Sequence, residues 1–212
     1  MGRPVLFDYF RSSAAYRVRI ALSLKGVDYE RVPTDLLKGA QKDEAYRACN
    51  PQGLVPLLEI DGHRLTQSLA IIDYLDATRP EPRLVPDDPA DRAEVLALAL
   101  AIACDIHPLN NLRVLKYLSG PLGQPQDVRD RWYAHWVREG LTALEAMARN
   151  TAGRFLFGDA PGLADICLVP QMFNARRFNV PVDDCPILVR VDAEAVRLPA
   201  FAAAHPDAIG AG

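Results

Sequence analysis

The spacing of apolar residues along the chain predicts short strands near the N-terminus and helices elsewhere. Residues 4–10 form a short apolar and aromatic run, which predicts a strand. Residues 13–25 carry apolar positions at helical spacing, and Gly26 follows where a glycine commonly ends a helix. Residues 29–33 predict a second strand. A strand, a helix and a strand joined by short links indicate a parallel βαβ unit.

A second group of elements follows a polar, irregular stretch over residues 34–53, in which one helix is expected near 41–48. Residues 55–60 predict a strand, Asp61-Gly62 is a hairpin turn signal, and the return strand is expected over 63–67. Ser68 then precedes apolar residues on one helical face. This part of the chain therefore predicts a ββα unit after the βαβ unit.

A cluster of prolines at positions 80, 82, 86 and 89 marks a change in composition. We expect an α/β domain over 1–80, a proline-rich linker over 81–89 and an all-helical domain over 90–212. Within that last domain the pattern predicts helices over 90–118, 128–149, 163–175 and 187–198. Pro108 lies inside the first of these and should kink or split it.

Composition narrows the classes of partner. The chain has 212 residues and a net charge of −3, without a block of lysine and arginine, so we expect no nucleic-acid partner. No continuous apolar run reaches the ~18 residues that a membrane span needs, which predicts no membrane partner. The first residues lack the apolar core of a signal peptide, and we expect a cytoplasmic protein.

Four cysteines are spread widely along the chain, with no C-x-x-C spacing: Cys49, Cys104, Cys167 and Cys185. This spacing disfavours a disulfide framework and a zinc site, so we expect reduced thiols and no metal. Their simplest role is that of small apolar residues in the interior.

The junction between the first strand and the first helix carries the densest chemistry. Ser12 and Ser13 lie where a helix N-cap is expected, and a helix start offers unpaired N–H groups and a partial positive charge. Arg11, Arg17 and Arg19 lie in the same few residues. Such a site can stabilise an anion. The plainer alternative is a helix cap beside surface arginines.

Five stretches of sequence carry a resemblance to a known family, in register along almost the whole chain: 12–22 with Lys25-Gly26, 50–56, 67–72, 164–171 and 175–178. They resemble the zeta-class glutathione transferases, the family of the maleylacetoacetate isomerases. The resemblance implies an α/β plus all-α protein, with an N-terminal thioredoxin-like domain followed by an all-helical C-terminal glutathione-transferase domain. It also implies a homodimer.

Two positions depart from the family pattern. Ala14 stands where members usually carry a cysteine or threonine, which excludes a thiol at that position. Gly162 replaces the usual serine or threonine before Asp165, and glycine is a weaker N-cap by a few tenths of a kcal/mol. We expect Asp165 to accept backbone hydrogen bonds as a structural cap, not to act in catalysis.

The resemblance further implies glutathione as the cofactor, and a small acidic enone as the substrate. The residues expected to bind glutathione are Ser12, Ser13, Ala14, Ala15, Tyr16, Arg17, Gln41, Val55, Pro56, Gln67, Ser68, His107, Asn111, Leu112 and Arg113. Catalysis is assigned to Ser12, Ser13 and Arg11, and recognition of the substrate to Arg11, Arg113, Arg176 and Arg177. A cis Val55–Pro56 bond is implied as well.

Plainer interpretations of these residues stay open at this point. Gln67-Ser68 is also what a simple hairpin-to-helix turn looks like. His107 could be an ordinary helix-end histidine, and each arginine could be a solvated surface charge.

The implied activity is a cis–trans isomerisation of maleylacetoacetate, in tyrosine or phenylalanine breakdown. A thiol of pKa about 8.5 must be held as thiolate, and lowering that pKa by about 2 takes roughly 2.7 kcal/mol. A helix start and a hydroxyl hydrogen bond can supply this together. Replacing Ser12 with alanine should therefore abolish most isomerisation with little change in stability.

Three other functions compete with this one. The chain could isomerise maleylpyruvate in aromatic-acid breakdown, since both substrates are acidic enones. It could be a glutathione transferase or dehalogenase that acts on halogenated acids and consumes glutathione. A non-catalytic binding module is disfavoured by the intact Ser12-Ser13 and Val55-Pro56 pairs.

Overall fold

The computed structural model describes residues 2–210 and divides them into two compact units. One unit runs as far as Arg83 and also takes in the C-terminal stretch from Arg197 onward, and the other is Leu84–Val196. The expected fold class is confirmed, because the first unit is an α/β unit with a four-stranded sheet and the second is helical.

The sheet of the first unit has the strand order β2-β1-β3-β4. Strands β1 and β2 are parallel and β3 and β4 form an antiparallel hairpin, as predicted. Strand β3 is also antiparallel to β1. The elements are β1 Val5–Asp8, α1 Ser13–Leu24, β2 Glu30–Pro33, a 3₁₀ turn Ala40–Lys42, α2 Glu44–Cys49, β3 Leu57–Ile60, β4 His63–Thr66 and α3 Ser68–Thr78.

The register of the sheet gathers three loops at one end. Phe7 of β1 pairs with Leu57 of β3, and Leu57 pairs in turn with Thr66 of β4. The chain therefore leaves β1, enters β3 and leaves β4 at the same end of the sheet. The serine motif, the Val55–Pro56 pair and Gln67-Ser68 all lie in or next to these loops.

The core of the first unit is aliphatic. Fully buried residues from the sheet and from helices α1 and α3 fill it: Leu6, Val18, Ile20, Leu22, Leu57, Leu58, Ile71, Ile72 and Leu75. Burying one such side chain contributes about 1.5–3 kcal/mol. This packing holds the start of α1 in place at the end of the sheet.

The C-terminal stretch packs on the first unit, which the predicted domain bounds did not anticipate. Helices α10 Pro199–Ala204 and α11 Pro206–Ile209 follow Arg197, and α10 lies against α1. The Nε of Arg19 donates to the carbonyl oxygen of Ala204 at 2.9 Å. The helical domain predicted over 90–212 therefore extends beyond the helical unit, which ends at Val196. The residues from Arg197 onward belong to the first unit, where the Arg19 side chain binds the Ala204 carbonyl oxygen.

The second unit is all-helical, as expected. Its elements are α4 Pro89–Leu100, a π-helical segment Ala101–Ile106, α5 His107–Leu109, α6 Leu112–Ser119, α7 Gln126–Ala148, α8 Leu163–Arg177 and α9 Pro186–Ala195. Helix α8 is buried along most of its length and packs against α4 and α9.

The predicted interruption near Pro108 is present but begins earlier. The backbone leaves α-helical geometry at Ala101, and Pro108 lies in the first turn of α5, where proline is tolerated. A Cβ on Gly140 of α7 would lie 2.2 Å from Cγ1 of Ile106. The glycine therefore lets α7 approach the π-helical segment closely.

Within the described residues, the stretch Pro89–Ser119 is long and apolar enough to span a membrane by length and composition alone. Its most apolar window has a mean hydropathy of 1.5, although no continuous apolar run of that length exists. The core helix of a soluble protein meets the same criterion. The expectation of no membrane partner stays a prediction.

Candidate active site

Ser12 is the N-cap of helix α1, at the predicted junction. Its Oγ accepts a hydrogen bond from the Ala15 N–H at 3.2 Å, and its own N–H donates to the Tyr9 carbonyl oxygen at 2.8 Å. The bond from Ala15 uses the hydroxyl oxygen as an acceptor and leaves the hydroxyl proton available to donate. Ser12 can therefore cap the helix and donate to an anion at the same time.

In the first turn of α1, Ser13 is only 4% exposed, whereas Ser12 is half-buried, so Ser12 is the more accessible of the two predicted hydroxyls. Ala15 and Tyr16 are buried in the core, and their N–H groups both donate to Ser12, one to Oγ and one to the carbonyl oxygen. Ala14 is half-buried, and its N–H has no hydrogen-bond partner among the described residues. The backbone N–H groups of Ala15 and Tyr16 are thus used within the helix start, while Ala14 keeps an N–H that a ligand could bind.

The three arginines of this stretch, which are close in sequence, have separate surroundings in the structure. Arg11 is exposed, with its guanidinium 4.8 Å from the centre of the Phe10 ring. Arg17 is buried, and its Nη1 donates to the Ser68 Oγ at 3.4 Å. Arg19 is fully buried. Of the three, only Arg11 presents its charge to solvent.

The Val55–Pro56 peptide bond is cis, as the family resemblance implied. Val55 lies two residues before the start of β3 and is buried. Neither its N–H nor its C=O has a hydrogen-bond partner among the described residues. A peptide-like ligand could therefore pair with both groups, as a neighbouring strand does.

Gln67 has a left-handed backbone with φ of 67°, which is costly for a residue other than glycine. Its Nε2 donates to the Gln52 Oε1 at 2.7 Å. Ser68 begins α3, and its Oγ accepts the bond from Arg17. Strain of this kind is typical of ligand-binding positions, so it favours a binding site over a simple turn.

Gln41 lies in the 3₁₀ turn beside the loop that leads to Val55. A Cβ on Gly53 would lie 3.0 Å from the Gln41 carbonyl oxygen, so this backbone approach requires glycine. The side-chain Oε1 of Gln41 is buried without a hydrogen-bond partner in the described part of the chain. A ligand donor is one way to satisfy that oxygen.

In the second unit, the predicted glutathione residues surround the turn between α5 and α6. His107 begins α5 and is half-buried. Asn111 caps α6, because its Oδ1 accepts from the Arg113 N–H at 3.0 Å. Leu112 is half-buried, and the Arg113 side chain is exposed. The indole N–H of Trp132 donates to the Leu109 carbonyl oxygen at 2.8 Å and fixes this turn.

The arginine pair at the end of α8 divides into two roles. Arg176 forms an ion pair of 2.6 Å with Asp192 of α9, whose carboxylate is buried. Its charge is therefore used inside the unit, which argues against the predicted role in substrate binding. The exposed Arg177 lies 4.6 Å from the centre of the Phe178 ring, and that ring stacks on Tyr133. Arg177 keeps its place as a candidate for recognising a carboxylate.

Asp165 is a structural cap, as expected. Its two carboxylate oxygens accept from the N–H groups of Leu156 and Gly162, at 2.8 and 2.9 Å. Burial raises the pKa of this carboxyl to about 6, although the two backbone hydrogen bonds oppose the rise. The carboxylate is thus needed for its hydrogen bonds but costly to ionise.

Replacing Asp165 with asparagine should change how stability depends on pH. Because the folded pKa is raised from 3.8 to about 6, this carboxyl favours the folded state below pH 4 and loses that contribution as pH rises to 6. The free energy of unfolding, wild type minus Asp165→Asn, should fall by about 2 kcal/mol between pH 4 and pH 7. Urea unfolding at several pH values measures it. A flat difference across that range would contradict the assignment.

Comparison with known proteins places this geometry in a family. The family model described as "Glutathione S-transferase, N-terminal domain" matches residues 6–83. A maleylacetoacetate isomerase of Rhizobium meliloti (strain 1021) is 51% identical over 207 residues, covering 97% of each chain. The holo structure of a maleylpyruvate isomerase, a bacterial zeta-class enzyme, superposes with a TM-score of 0.94 at 43% identity, covering 96% of this chain and 97% of that one.

The chain belongs to the zeta-class glutathione transferases. A further relative is the maleylacetoacetate isomerase of Anaeromyxobacter dehalogenans 2CP-1, with bound dicarboxyethyl glutathione and citrate in its active site. It has a TM-score of 0.87 and 44% identity, and covers 97% of this chain and 95% of that one. The family resemblance drawn from the five sequence stretches is confirmed.

Several residues that shape this zeta-class site were missed from sequence. Tyr46 and Asn50 both donate to the Leu54 carbonyl oxygen, next to Val55. Asp8 and Arg31 join Arg19 in a buried charged cluster under the serine motif. The position of Asp8 at the end of a buried apolar strand was the one available signal, because an acidic residue there needs a partner.

No group of three or more His, Cys, Asp or Glu side chains that could hold a metal ion is present within residues 2–210. Among the four cysteines, Cys167 and Cys185 are buried, Cys49 is half-buried and Cys104 is exposed. None of them lies in the first turn of α1, so a sulfur at that position has to come from a ligand.

Proposed function

We propose that the chain catalyses the cis–trans isomerisation of maleylacetoacetate to fumarylacetoacetate, with glutathione as a cofactor that is not consumed. The observation that carries this proposal is Ser12, a helix cap whose hydroxyl proton is free to donate. It lies at the end of the sheet that also carries the unpaired backbone groups of Val55.

The residues present fit glutathione. Val55 offers one N–H and one C=O to a peptide backbone, and Gln67-Ser68 offers a helix start to a carboxylate. The buried Oε1 of Gln41 can accept from an N–H group. Ser12 and the Ala14 N–H offer two donors to a thiolate. A tripeptide with a thiol and two carboxylates matches this set of groups.

When bound, glutathione supplies a thiolate that adds to the conjugated double bond, allows rotation about the resulting single bond, and leaves again. The task of the chain is to keep that sulfur ionised and to hold the substrate's oxygens. A hydrogen bond from Ser12 to a charged sulfur contributes about 1.5–3 kcal/mol. The start of α1 adds about 0.3–1 kcal/mol, and up to ~2 where it is partly buried.

The ligand of one relative supports addition at carbon. Dicarboxyethyl glutathione, bound in the Anaeromyxobacter dehalogenans enzyme, is a glutathione whose sulfur carries a dicarboxylate. This is the type of bond that thiolate addition to an unsaturated diacid makes. It favours an acidic enone as the substrate class of the present chain.

Recognition of the acidic substrate is assigned to Arg11 and Arg177, whose guanidinium groups are exposed. A guanidinium binds a carboxylate through two parallel hydrogen bonds. Each of the two lies over an aromatic ring of the following or preceding residue, which restricts its movement. Arg113 is exposed as well, and its role in binding stays a prediction.

Replacing Arg177 with alanine should raise KM for the dicarboxylate substrate by about tenfold, the cost of one charged hydrogen-bonded contact. KM for an uncharged second substrate that accepts the glutathione thiol should change less than twofold. Arg176→Ala is the matched control, because that side chain is engaged with Asp192. It should lower stability and affect the two KM values equally. If Arg177→Ala changes KM equally for both substrates, Arg177 is a surface charge without a role in recognising the carboxylate.

A second candidate is isomerisation of maleylpyruvate by the same residues. The observation that favours it is the close superposition on a maleylpyruvate isomerase, with a TM-score of 0.94. Transfer of glutathione to a halogenated acid is a third possibility, and it differs because glutathione would be consumed in proportion to product.

The deciding experiment follows the ultraviolet absorbance of maleylacetoacetate and of maleylpyruvate, each with and without glutathione. The proposal expects turnover of maleylacetoacetate with the higher kcat/KM, and only when glutathione is present. Free thiol should stay constant throughout. A higher kcat/KM for maleylpyruvate would select the second candidate, and falling thiol would select transfer.

We propose a cytoplasmic homodimer that takes part in tyrosine and phenylalanine breakdown and has neither a membrane nor a nucleic-acid partner. The net charge of −3, the small acidic substrate and the family support this. Light scattering and fractionation of the expressing cells would test it.

A further inference from the structure

Two buried side chains bind the same backbone carbonyl just before the cis proline. The hydroxyl of Tyr46 donates to the Leu54 carbonyl oxygen at 2.6 Å, and Nδ2 of Asn50 donates to the same oxygen at 2.7 Å. Tyr46 is 9% exposed and Asn50 is 2% exposed. One hydrogen bond is enough to satisfy a buried backbone carbonyl. The second donor on Leu54 therefore indicates that the direction of this carbonyl group is held in place.

Both donors are themselves held in place. The Tyr46 ring packs with Val55 and Leu57, and meets the Phe7 ring edge-on at 6.0 Å between centroids. Burial raises the pKa of Tyr46 to about 12, so its hydroxyl remains a donor at neutral pH. The Oδ1 of Asn50 accepts from the Gln52 N–H at 3.2 Å, which fixes the amide so that Nδ2 faces Leu54.

The geometry of the peptide unit carries this constraint to Val55. The Leu54–Val55 peptide bond is not among the cis bonds of the described chain, and a trans peptide is planar with C=O and N–H on opposite sides. Fixing the direction of the Leu54 C=O therefore fixes the direction of the Val55 N–H. That N–H has no partner among the described residues.

We propose that Tyr46 and Asn50 are positioning residues for glutathione, which act by setting the orientation of the Leu54–Val55 peptide. This inference rests on the proposed function, because it concerns the same binding site. This role requires no contact between either side chain and glutathione. Their effect reaches it through the Val55 N–H, and it should alter cofactor affinity more than the chemical step.

The test compares Tyr46→Phe, Asn50→Ala and the double variant, with glutathione affinity measured by calorimetry. Each single variant leaves one donor on the Leu54 carbonyl, so Kd should rise only about twofold to fourfold. The double variant frees the peptide, and Kd should rise at least thirtyfold, more than the product of the single effects. The kcat at saturating glutathione should stay within about threefold, because Ser12 is untouched.

Tyr74→Phe is the matched control. It removes a tyrosine hydroxyl that donates to Asp61 Oδ2 at 3.0 Å in the same unit, away from this loop. It should leave the Kd for glutathione unchanged. A folded double variant with a Kd within twofold of this control would overturn the inference alone. Absence of glutathione binding by the wild-type chain would overturn the proposed function as well.

A second measurement decides the matter if the double variant does not fold. Tyr46→Phe keeps the ring packing, and the amide resonance of Val55 can be followed by NMR as glutathione is added. A smaller shift of that resonance than in the wild type supports the inference. A shift equal to that of the wild type overturns it.

Discussion

Ser12→Ala is expected to lower kcat for isomerisation by about a hundredfold. The hydrogen bond from the Ser12 hydroxyl to a charged sulfur contributes about 1.5–3 kcal/mol, which corresponds to about tenfold to 150-fold in rate. The start of α1 remains in the variant and keeps part of the thiolate stabilisation. Steady-state kinetics at saturating glutathione, on either acidic enone, measures the loss.

The structure corrects one part of the sequence-based expectation for this variant. Ser12 Oγ also accepts the Ala15 N–H, so alanine removes a helix cap. Loss of a serine cap costs about 1 kcal/mol, and this should lower Tm by about 2–4 °C in a chain of this size. Stability should therefore fall measurably along with activity.

Two further substitutions separate the cap from the catalytic hydroxyl. Ser12→Gly removes the hydroxyl but costs the cap only a few tenths of a kcal/mol. It should be as inactive as Ser12→Ala, with nearly wild-type stability. Ser12→Thr keeps both the cap and the hydroxyl, and should retain most of the activity. Turnover by Ser12→Gly above half the wild-type rate would reject the assigned role.

Asp8→Asn is expected to lower the free energy of unfolding by about 3–5 kcal/mol, the largest stability effect we predict. The carboxylate of Asp8 is fully buried and accepts from Arg19 Nη1 at 2.8 and 2.9 Å, and from Arg31 Nε at 3.0 Å. Neutralising Asp8 leaves the fully buried charge of Arg19 without its counter-ion. Urea unfolding at pH 7 measures the loss.

Asp28→Asn serves as the control, because it removes an exposed ion pair with Arg3 in the same unit. Its effect should be below about 1 kcal/mol. Replacing the Asp8–Arg19 pair together, with leucine and methionine, should recover part of the stability lost in Asp8→Asn. A loss below about 1 kcal/mol for Asp8→Asn would show that the cluster is not a buried ion pair.

This buried cluster also supports the active site. Arg19 Nη2 donates to the Phe10 carbonyl oxygen at 3.0 Å, within the turn that carries Arg11 and leads to Ser12. Its Nε holds the Ala204 carbonyl oxygen, and Arg31 Nη1 holds that of Ile209. One group of charges thus fixes the serine turn and the C-terminal helices to the same sheet.

Local patterns made the start of α1 and the order of the strands predictable. A hydroxyl residue followed by helical spacing defines an N-cap, and an Asp-Gly pair between apolar runs defines a hairpin. These signals involve residues within a few positions of each other. The structure has Ser12 as the cap of α1 and a hairpin of β3 and β4 on either side of Asp61-Gly62.

Long-range partners were not predictable by the same means. Arg19 lies on a helix beside other arginines, and nothing nearby in sequence shows that it binds a carbonyl 185 positions away. The burial of Arg17 and the Arg176–Asp192 pair also depend on tertiary packing. From sequence alone, these charged side chains are expected at the surface or at the substrate. In the structure, some of them instead form buried contacts that stabilise the fold.

The presence of a break in the long helix near Pro108 was predictable, but the residue where it begins and its π-helical form were not. Pro108 marked an interruption, whereas the structure has a π-helical segment that begins at Ala101. The segment ends at Ile106, where α7 approaches closely at Gly140, and no local signal in the sequence reveals that approach. The positions of Tyr46 and Asn50 around Leu54 were missed for the same reason.

The most direct test is the pKa of the thiol of bound glutathione, followed by ultraviolet absorbance of the thiolate across pH in the wild type and in Ser12→Gly. Since Ser12 and the start of α1 stabilise the thiolate, the wild-type pKa should lie well below the ordinary value of about 8.5. In Ser12→Gly it should rise most of the way back. An identical pKa in the two proteins would contradict the role assigned to the Ser12 hydroxyl.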